Sequence, residues 1–160
     1  YVESKAKRIA ISSAATLDDD EVVDDMRERL SEEFPEGYEL YPFQYAGVRF
    51  AELAEGRCLI GDDMGIGKTI QAIAYAALHP EQWPVAVVCP ANVKYNWFNE
   101  ISAWLPHATC SVVQNGKDRL EETDFVVIFS IKLLSTSRTI NYLNRIFFVN
   151  IKIFVLLSSL

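Results

Sequence analysis

No aspartate or glutamate occurs after Asp124 in this 160-residue sequence, and residues 125–160 also lack glycine, proline, alanine and glutamine. A stretch without carboxylates supplies no acidic general base and no hard metal ligand of that kind. A stretch without glycine or proline lacks the strongest turn punctuation. Cysteine is scarce too. Cys58, Cys89 and Cys110 are too few and too scattered for a disulfide framework; Cys58 and Cys89, inside apolar strand-like runs, read as buried thiols in a reducing compartment, cytosol or nucleus. His79 and His107 belong to no set of four Cys and His at ligand spacing, so no zinc site is expected. Long apolar runs are also missing. The opening YVESKAKRIAISSAA has no apolar core of a secretory signal. The closing RIFFVNIKIFVLLSSL is interrupted by Arg145, Asn150 and Lys152, and is too short for a membrane span.

Half of the residues are hydrophobic and 12% are aromatic, enough for one domain with a real core. The formal charge of −7 is unevenly spread. Residues 1–40 hold 12 acids and 5 bases, whereas residues 41–160 hold 10 of each. Acidity is thus a property of the leader, concentrated in DDDEVVDDMRERLSEEFPE. The remainder is neutral and can still present a local basic face to nucleic acid.

The patterning reads as alternating elements. Residues 1–17 form a poorly ordered lead-in. Residues 18–34 have helical spacing, with Val22, Val23, Met26, Leu30 and Phe34 on one face and acids at the N-terminal end. PFQYAGVRFAELAEG opens on proline and closes on Gly56, the usual helix punctuation. RCLIGDD predicts a short strand running into a turn. KTIQAIAYAALHP predicts a helix that stops before Pro80, and VAVVCP a buried strand. NVKYNWFNEISAWLP predicts a third helix, followed by strands at SVV and DFVVIFS. This alternation implies an α/β fold with a parallel sheet flanked by helices and an acidic helical leader.

The decisive segment is GDDMGIGKTI, residues 61–70. A phosphate-binding loop G-x-x-x-x-G-K-[ST] requires glycine where this chain has Asp62; Gly61 stands one residue too early. Every other part is present. CLIG would be the delivering strand. Gly65 and Gly67 would let the backbone curl. Lys68 would reach the β- and γ-phosphates, and Thr69 would ligate Mg²⁺. IQAIAYAAL would be the helix whose positive end faces the anion. The competing reading is an ordinary strand–turn–helix with a chance Gly-Lys-Thr.

D-[DE]-M-G-[LI]-G-K-T resembles the loop of superfamily 2 helicase-like ATPases of the SNF2 type, in which Asp62 fills the glycine slot. Other segments support this resemblance over residues 38–135. ELYPFQYAGVRF resembles the Q motif, WPVAVVCPANVKYNWFNEISAWLP motif Ia with its following helix, and DFVVIFSIKLLS motif Ib. NGKDRL, with GRCLIGDDMGIGKTIQAIA and W-x-x-E-x-x-x-WLP, is most similar to the annealing-helicase branch, which uses ATP to rewind branched DNA.

The resemblance implies a partial RecA-like P-loop lobe that binds ATP with Mg²⁺. Its nucleotide-binding residues would be Gln44, Asp62, Met64, Gly65, Ile66, Gly67, Lys68 and Thr69, with Gln44 reading adenine. Pro90, Ala91, Asn92 and Ser130 would face DNA. Tyr41 and Phe43 would pack on the base or staple the helix start. Lys94 reads as a phosphate contact or, preferably, a surface lysine; Trp97 and Trp104 read as core. Ser130 is followed by Ile131-Lys132, where the family has a Ser-Tyr-Asp-like turn.

The division expected is a leader at 1–37, the ATP-binding portion at 38–135 and an atypical apolar tail at 136–160 that is not family sequence. No carboxylate motif, Asp-Glu-x-His or similar, follows Asp124, so no catalytic residue is assigned and the chain alone is expected to be inactive. A nuclear protein acting on branched or duplex DNA (cytoplasmic if prokaryotic) is the expectation. The alternatives are a non-catalytic nucleotide- or partner-binding piece, and a P-loop kinase or transporter ATPase. The last is disfavoured by L-Y-P-F-Q and Asp62.

Overall fold

The computed structural model describes residues 20–63, 65–115, 118, 126–130, 133 and 153–155. They fall into two compact units, one within residues 1–78 and the other within 79–160.

The first unit is helical. Helix α1 spans Asp20–Glu33, α2 Pro42–Leu53 and α3 Lys68–Leu78. The acidic leader helix is not simply a solvated rod. Met26, Leu30 and Phe34, spaced one turn apart, are all buried, while Val22 and Val23 are half-buried. Burying a side chain of this size stabilises by ~1.5–3 kcal/mol, so three of them can hold a helix whose other face is charged. Arg29 adds a polar tie by donating to the carbonyl of Leu78 at 2.8 Å, which satisfies a carbonyl at the end of α3. Arg27 pairs with Asp24 and Glu39, and its guanidinium stands 5.4 Å from the centre of the Tyr45 ring.

Helix α2 begins on Pro42, where a missing N–H is harmless. It ends through Gly56 at φ 71°, whose N–H returns to the carbonyl of Ala51. Helix α3 packs against α2, and every residue from Ile70 to Leu78 is buried. Alanines at 72, 74, 76 and 77 let the neighbours approach closely. Gly47, inside α2, faces the side chain of Gln71. A Cβ at that position would fall within the van der Waals shell of Gln71 Oε1 and 2.8 Å from its Cδ.

One predicted strand is absent. Residues 57–61, the expected delivering strand, are irregular, and Leu59 is 75% exposed. An apolar run does not make a strand by itself; a strand needs a hydrogen-bonded neighbour. Among the described residues none pairs with this segment.

The second unit carries the sheet. Its strands are β1 (Val85–Cys89), β2 (Cys110–Val112), β3 (Val126–Ser130) and β4 (Ile153–Val155), with helix α4 (Lys94–Trp104) between β1 and β2. The spatial order is β2-β3-β1-β4, and every pairing is parallel. All five residues of β1 are buried, which explains its unbroken apolar sequence. Cys89 lies opposite Ser130 and Val88 opposite Val155, so the strand ends gather along one carboxyl edge. Trp97 and Ile101 of α4 are core residues; Trp104 is half-buried. Asp124 and Phe125, predicted to open β3, lie outside the described residues.

The close approach at Gly47 gives a test. Alanine in a helix interior is normally better than glycine by ~0.5–1 kcal/mol, whereas overpacking a core costs ~1–3 kcal/mol. Gly47→Ala should therefore destabilise the chain when Gln71 is present and stabilise it in a Gln71→Ala background. Chemical denaturation of the four-member cycle reads the sign in each background.

Candidate functional site: the loop at the start of helix α3

The turn before α3 is built as a phosphate loop requires. Gly65 and Gly67 sit at φ 83° and 84°, in the left-handed region that other residues enter at a cost. Between and after them the chain reverses into the helix. The N–H of Gln71 donates to the carbonyl of Gly67 at 3.1 Å, and this bond opens the helical ladder. The N–H groups of the first turn, at Lys68, Thr69 and Ile70, precede the ladder, and no acid lies in that turn. An anion placed there meets unspent donors and the positive end of the helix dipole.

Lys68 folds back over the loop. Its Nζ donates to the carbonyls of Asp62 at 2.7 Å and Asp63 at 2.8 Å. Thr69 follows it in the first turn, half-buried. Asp62, the residue in the glycine slot, is held a second time through its side chain, because Gln71 Nε2 donates to Asp62 Oδ2 at 3.0 Å. Only that orientation of the amide is sound, since an ionised carboxylate accepts and cannot donate.

Gln44 ties the other end of the loop to α2. Its Oε1 accepts the N–H of Tyr41 at 2.9 Å, the reciprocal half of a capping box. Its Nε2 donates to the carbonyl of Ile66 at 3.2 Å. A Cβ on Gly67 would collide with that same Nε2. Gln44 is 6% exposed, so a solvated helix residue, the bland alternative to a site residue, is not what the structure contains. The Tyr41 and Phe43 rings stack on each other at 5.9 Å and 6°, and both are exposed. They do not form a buried staple.

Gln44, Asp62, Gly65, Ile66, Gly67, Lys68 and Thr69 thus come together in one unit. Met64 lies outside the described residues. Gln71 and Gly47 were not singled out from the sequence, although a signal existed. Gln71 is the one amide in the otherwise apolar IQAIAYAAL, and a polar residue on a buried face must find a partner.

In the second unit, the residues expected to face DNA lie along the carboxyl edge of the sheet. Pro90 follows β1. Ala91–Val93 form a single 3₁₀ turn, with Ala91 and Asn92 exposed, and α4 begins only at Lys94. Ser130 ends β3 and is buried. Lys94 corrects both of its sequence readings. It is 6% exposed, and its Nζ donates to the carbonyl of Val113 at 2.7 Å. A long side chain at a helix start has been drawn inward to a strand-end carbonyl instead of outward to water. Burial pushes the Cys89 thiol above its ordinary value, and the Lys94 ammonium partly offsets this. Asp118 closes a turn by accepting the N–H groups of Asn115 and Gln114, and these bonds hold its carboxyl below the usual range.

The SNF2-related domain matches residues 43–156. The bovine SWI/SNF-related matrix-associated actin-dependent regulator of chromatin subfamily A-like protein 1 is 48% identical over 99 residues, covering 60% of this chain and 10% of that protein. The human DNA annealing helicase and endonuclease ZRANB3 is 36% identical over 127 residues, covering 77% of this chain and 11% of that protein. The chain therefore spans about a tenth of the length of these relatives. Among solved structures, the Sulfolobus solfataricus SWI2/SNF2 ATPase core domain aligns with a TM-score of 0.56 at 27% identity, covering 66% of this chain and 23% of that one. The same core in complex with dsDNA aligns at 0.53 and 30% identity, covering 66% and 24%.

The two loop glycines should separate on substitution. Gly65→Ala meets open space and carries only the strain of its φ, about 1–2 kcal/mol. Gly67→Ala carries the same strain and also displaces Gln44. The expected outcome is a larger loss of stability for Gly67→Ala, with faster amide exchange at Tyr41, measured by denaturation and hydrogen exchange.

Proposed function

The chain belongs to the SNF2-related domain family, and from that premise we propose that its residues 38–135 are the nucleotide-binding portion of an SNF2-type, DNA-dependent ATPase of the annealing-helicase kind. The observation that carries this reading is the loop itself: two glycines at positive φ, followed by Lys68 and Thr69 on the first turn of a helix. The donor set fits a polyphosphate. It combines an ammonium, the first-turn N–H groups and no acid in the first turn. It also fits Mg²⁺ arriving with the phosphates. Among the described residues no cluster of three or more His, Cys, Asp or Glu could hold a metal alone, and Mg²⁺ commonly takes only one or two protein ligands beside phosphate oxygens.

In this reading Lys68 leaves the carbonyls of Asp62 and Asp63 for the β- and γ-phosphates. Thr69 presents its hydroxyl to Mg²⁺, which neutralises phosphate charge when bound. Gly65, Ile66 and Gly67 supply the curled backbone. Gln44 serves two ends. Two of its hydrogen-bonding positions hold Tyr41 and Ile66, and an amide has a second N–H and further lone pairs for an adenine edge. The exposed Tyr41–Phe43 pair beside it offers a flat apolar face, which supports packing on a base.

DNA would lie along the carboxyl edge of the sheet, at Pro90, Ala91, Asn92 and Ser130. The relative solved with dsDNA supports DNA as partner. The chromatin and DNA-annealing names of the relatives support a nuclear location. No helix among the described residues is long and apolar enough to cross a membrane.

A second reading is favoured for the 160 residues taken alone. They hold no carboxylate after Asp124, and hydrolysis needs one to hold Mg²⁺ and another to position water. Each missing electrostatic contact of this sort costs on the order of 3–4 kcal/mol of transition-state stabilisation. Nucleotide binding without turnover is what these residues can support.

MgATP titration of the chain beside Lys68→Ala, with phosphate release followed with and without DNA, tests both readings. Binding that weakens about 10- to 100-fold in Lys68→Ala, without turnover, is expected. Binding indifferent to Lys68 sinks the nucleotide site. DNA-stimulated hydrolysis by the wild-type chain sinks the binding-only reading.

A further inference from the structure

Gln71 has no part in the chemistry above, yet it is fully buried and half satisfied. Its exposure is 0%, its Nε2 reaches Asp62, and its Oε1 has no hydrogen-bond partner among the described residues. That Oε1 points at the backbone of α2, where Gly47 makes room for it. An amide buried with an unmet acceptor is unfavourable, and an apolar side chain of the same volume would pack there without that penalty. The position therefore keeps glutamine at the expense of stability, and the N–H to Asp62 is what it obtains.

Asp62 is held from both sides by one turn of α3. Lys68 takes its carbonyl at 2.7 Å and Gln71 takes its carboxylate at 3.0 Å. The two side chains are three residues apart and so share a helix face. When the ammonium moves onto a phosphate, the carbonyl contact is lost. The Gln71 contact does not involve the ammonium and can persist. We propose that Gln71 is a positioning residue for the phosphate loop: it anchors the loop entry through Asp62, so that the loop keeps its curl when Lys68 turns to the nucleotide. This also gives a physical reason for an aspartate in the slot where glycine is usual. The residue there is a tether, and glycine cannot be one. The inference rests on the nucleotide reading above.

Gln71→Met separates anchoring from packing, because it keeps the volume and removes the donor. The measurements are calorimetric titration with MgADP, thermal unfolding, and hydrogen exchange of the nucleotide-free chain. They would be made on the wild type, Lys68→Ala, Gln71→Met, Asp62→Ala, Asp62→Asn and the Gln71→Met/Asp62→Ala double variant. Each of Gln71→Met and Asp62→Ala should weaken MgADP about tenfold, the scale of one hydrogen bond to a charged group. The double variant should be no weaker than either single. Asp62→Asn, which keeps an acceptor, should recover most of what Asp62→Ala loses. Loop amides at 63–67 should exchange faster in Gln71→Met while its melting temperature holds or rises, a divergence that a packing role does not produce. Lys68-dependent binding that is unchanged in Gln71→Met, or losses that multiply in the double variant, would overturn the anchoring role alone. A wild type that binds no MgADP, or binds it equally without Lys68, would overturn the nucleotide reading and the anchoring role together.

Discussion

The ammonium of Lys68 lies on the carbonyls of Asp62 and Asp63, six and five residues back in the chain, and that reach dictates the loop. A cation can return so soon only if the backbone reverses between the two ends. The reversal is made by Gly65 and Gly67, both at positive φ, where a side chain would be strained. Reversal also leaves backbone groups in need of partners. Gln44 meets one of them, the carbonyl of Ile66, from α2, and Gln71 holds the entry from α3. The packing of α2 on α3 thereby sets the shape of a loop that belongs to neither helix. The small residues of α3 and the missing side chain at Gly47 are what let the two helices approach closely enough for this.

The sheet follows a different constraint. Parallel strands have no local partner, so each exists only where a distant segment completes its ladder. β1 is completed on one side by β3 and on the other by β4, whose residues 153–155 come from the stretch without carboxylates. The family match runs to residue 156 and takes in most of that stretch. The carboxyl edge so formed carries Pro90 and Ser130. It also carries a lysine drawn inward to Val113, which was read from the sequence as exposed. A lysine at a helix start reads as solvated because lysine is almost never fully buried unless it is paired. What buries it is a strand end 19 residues further on.

The contrast extends to the loop. Helices at 42–53, 68–78 and 94–104 were legible from their apolar spacing and from proline and glycine at their ends, since those signals act within one or two turns. The run VAVVC was legible as a buried strand from its unbroken apolar character. CLIG carried a similar signal and is not a strand, because hydropathy records the tendency to be buried and not the presence of a neighbour to pair with. Gln44 could be chosen from its place after L-Y-P-F. Gln71 could not be assigned a task, because its partner and the glycine that makes room for it lie in separate segments.

The sequence by itself determined the loop chemistry: glycines where the backbone must reverse, then a lysine and a hydroxyl at a helix start. Those requirements are local, and residue identity at fixed spacing expresses them in full. Only the tertiary structure decided which polar groups hold the loop open and that Lys94 is internal. Each of these depends on segments tens of residues apart meeting at hydrogen-bond distance, and one-dimensional spacing does not encode that proximity.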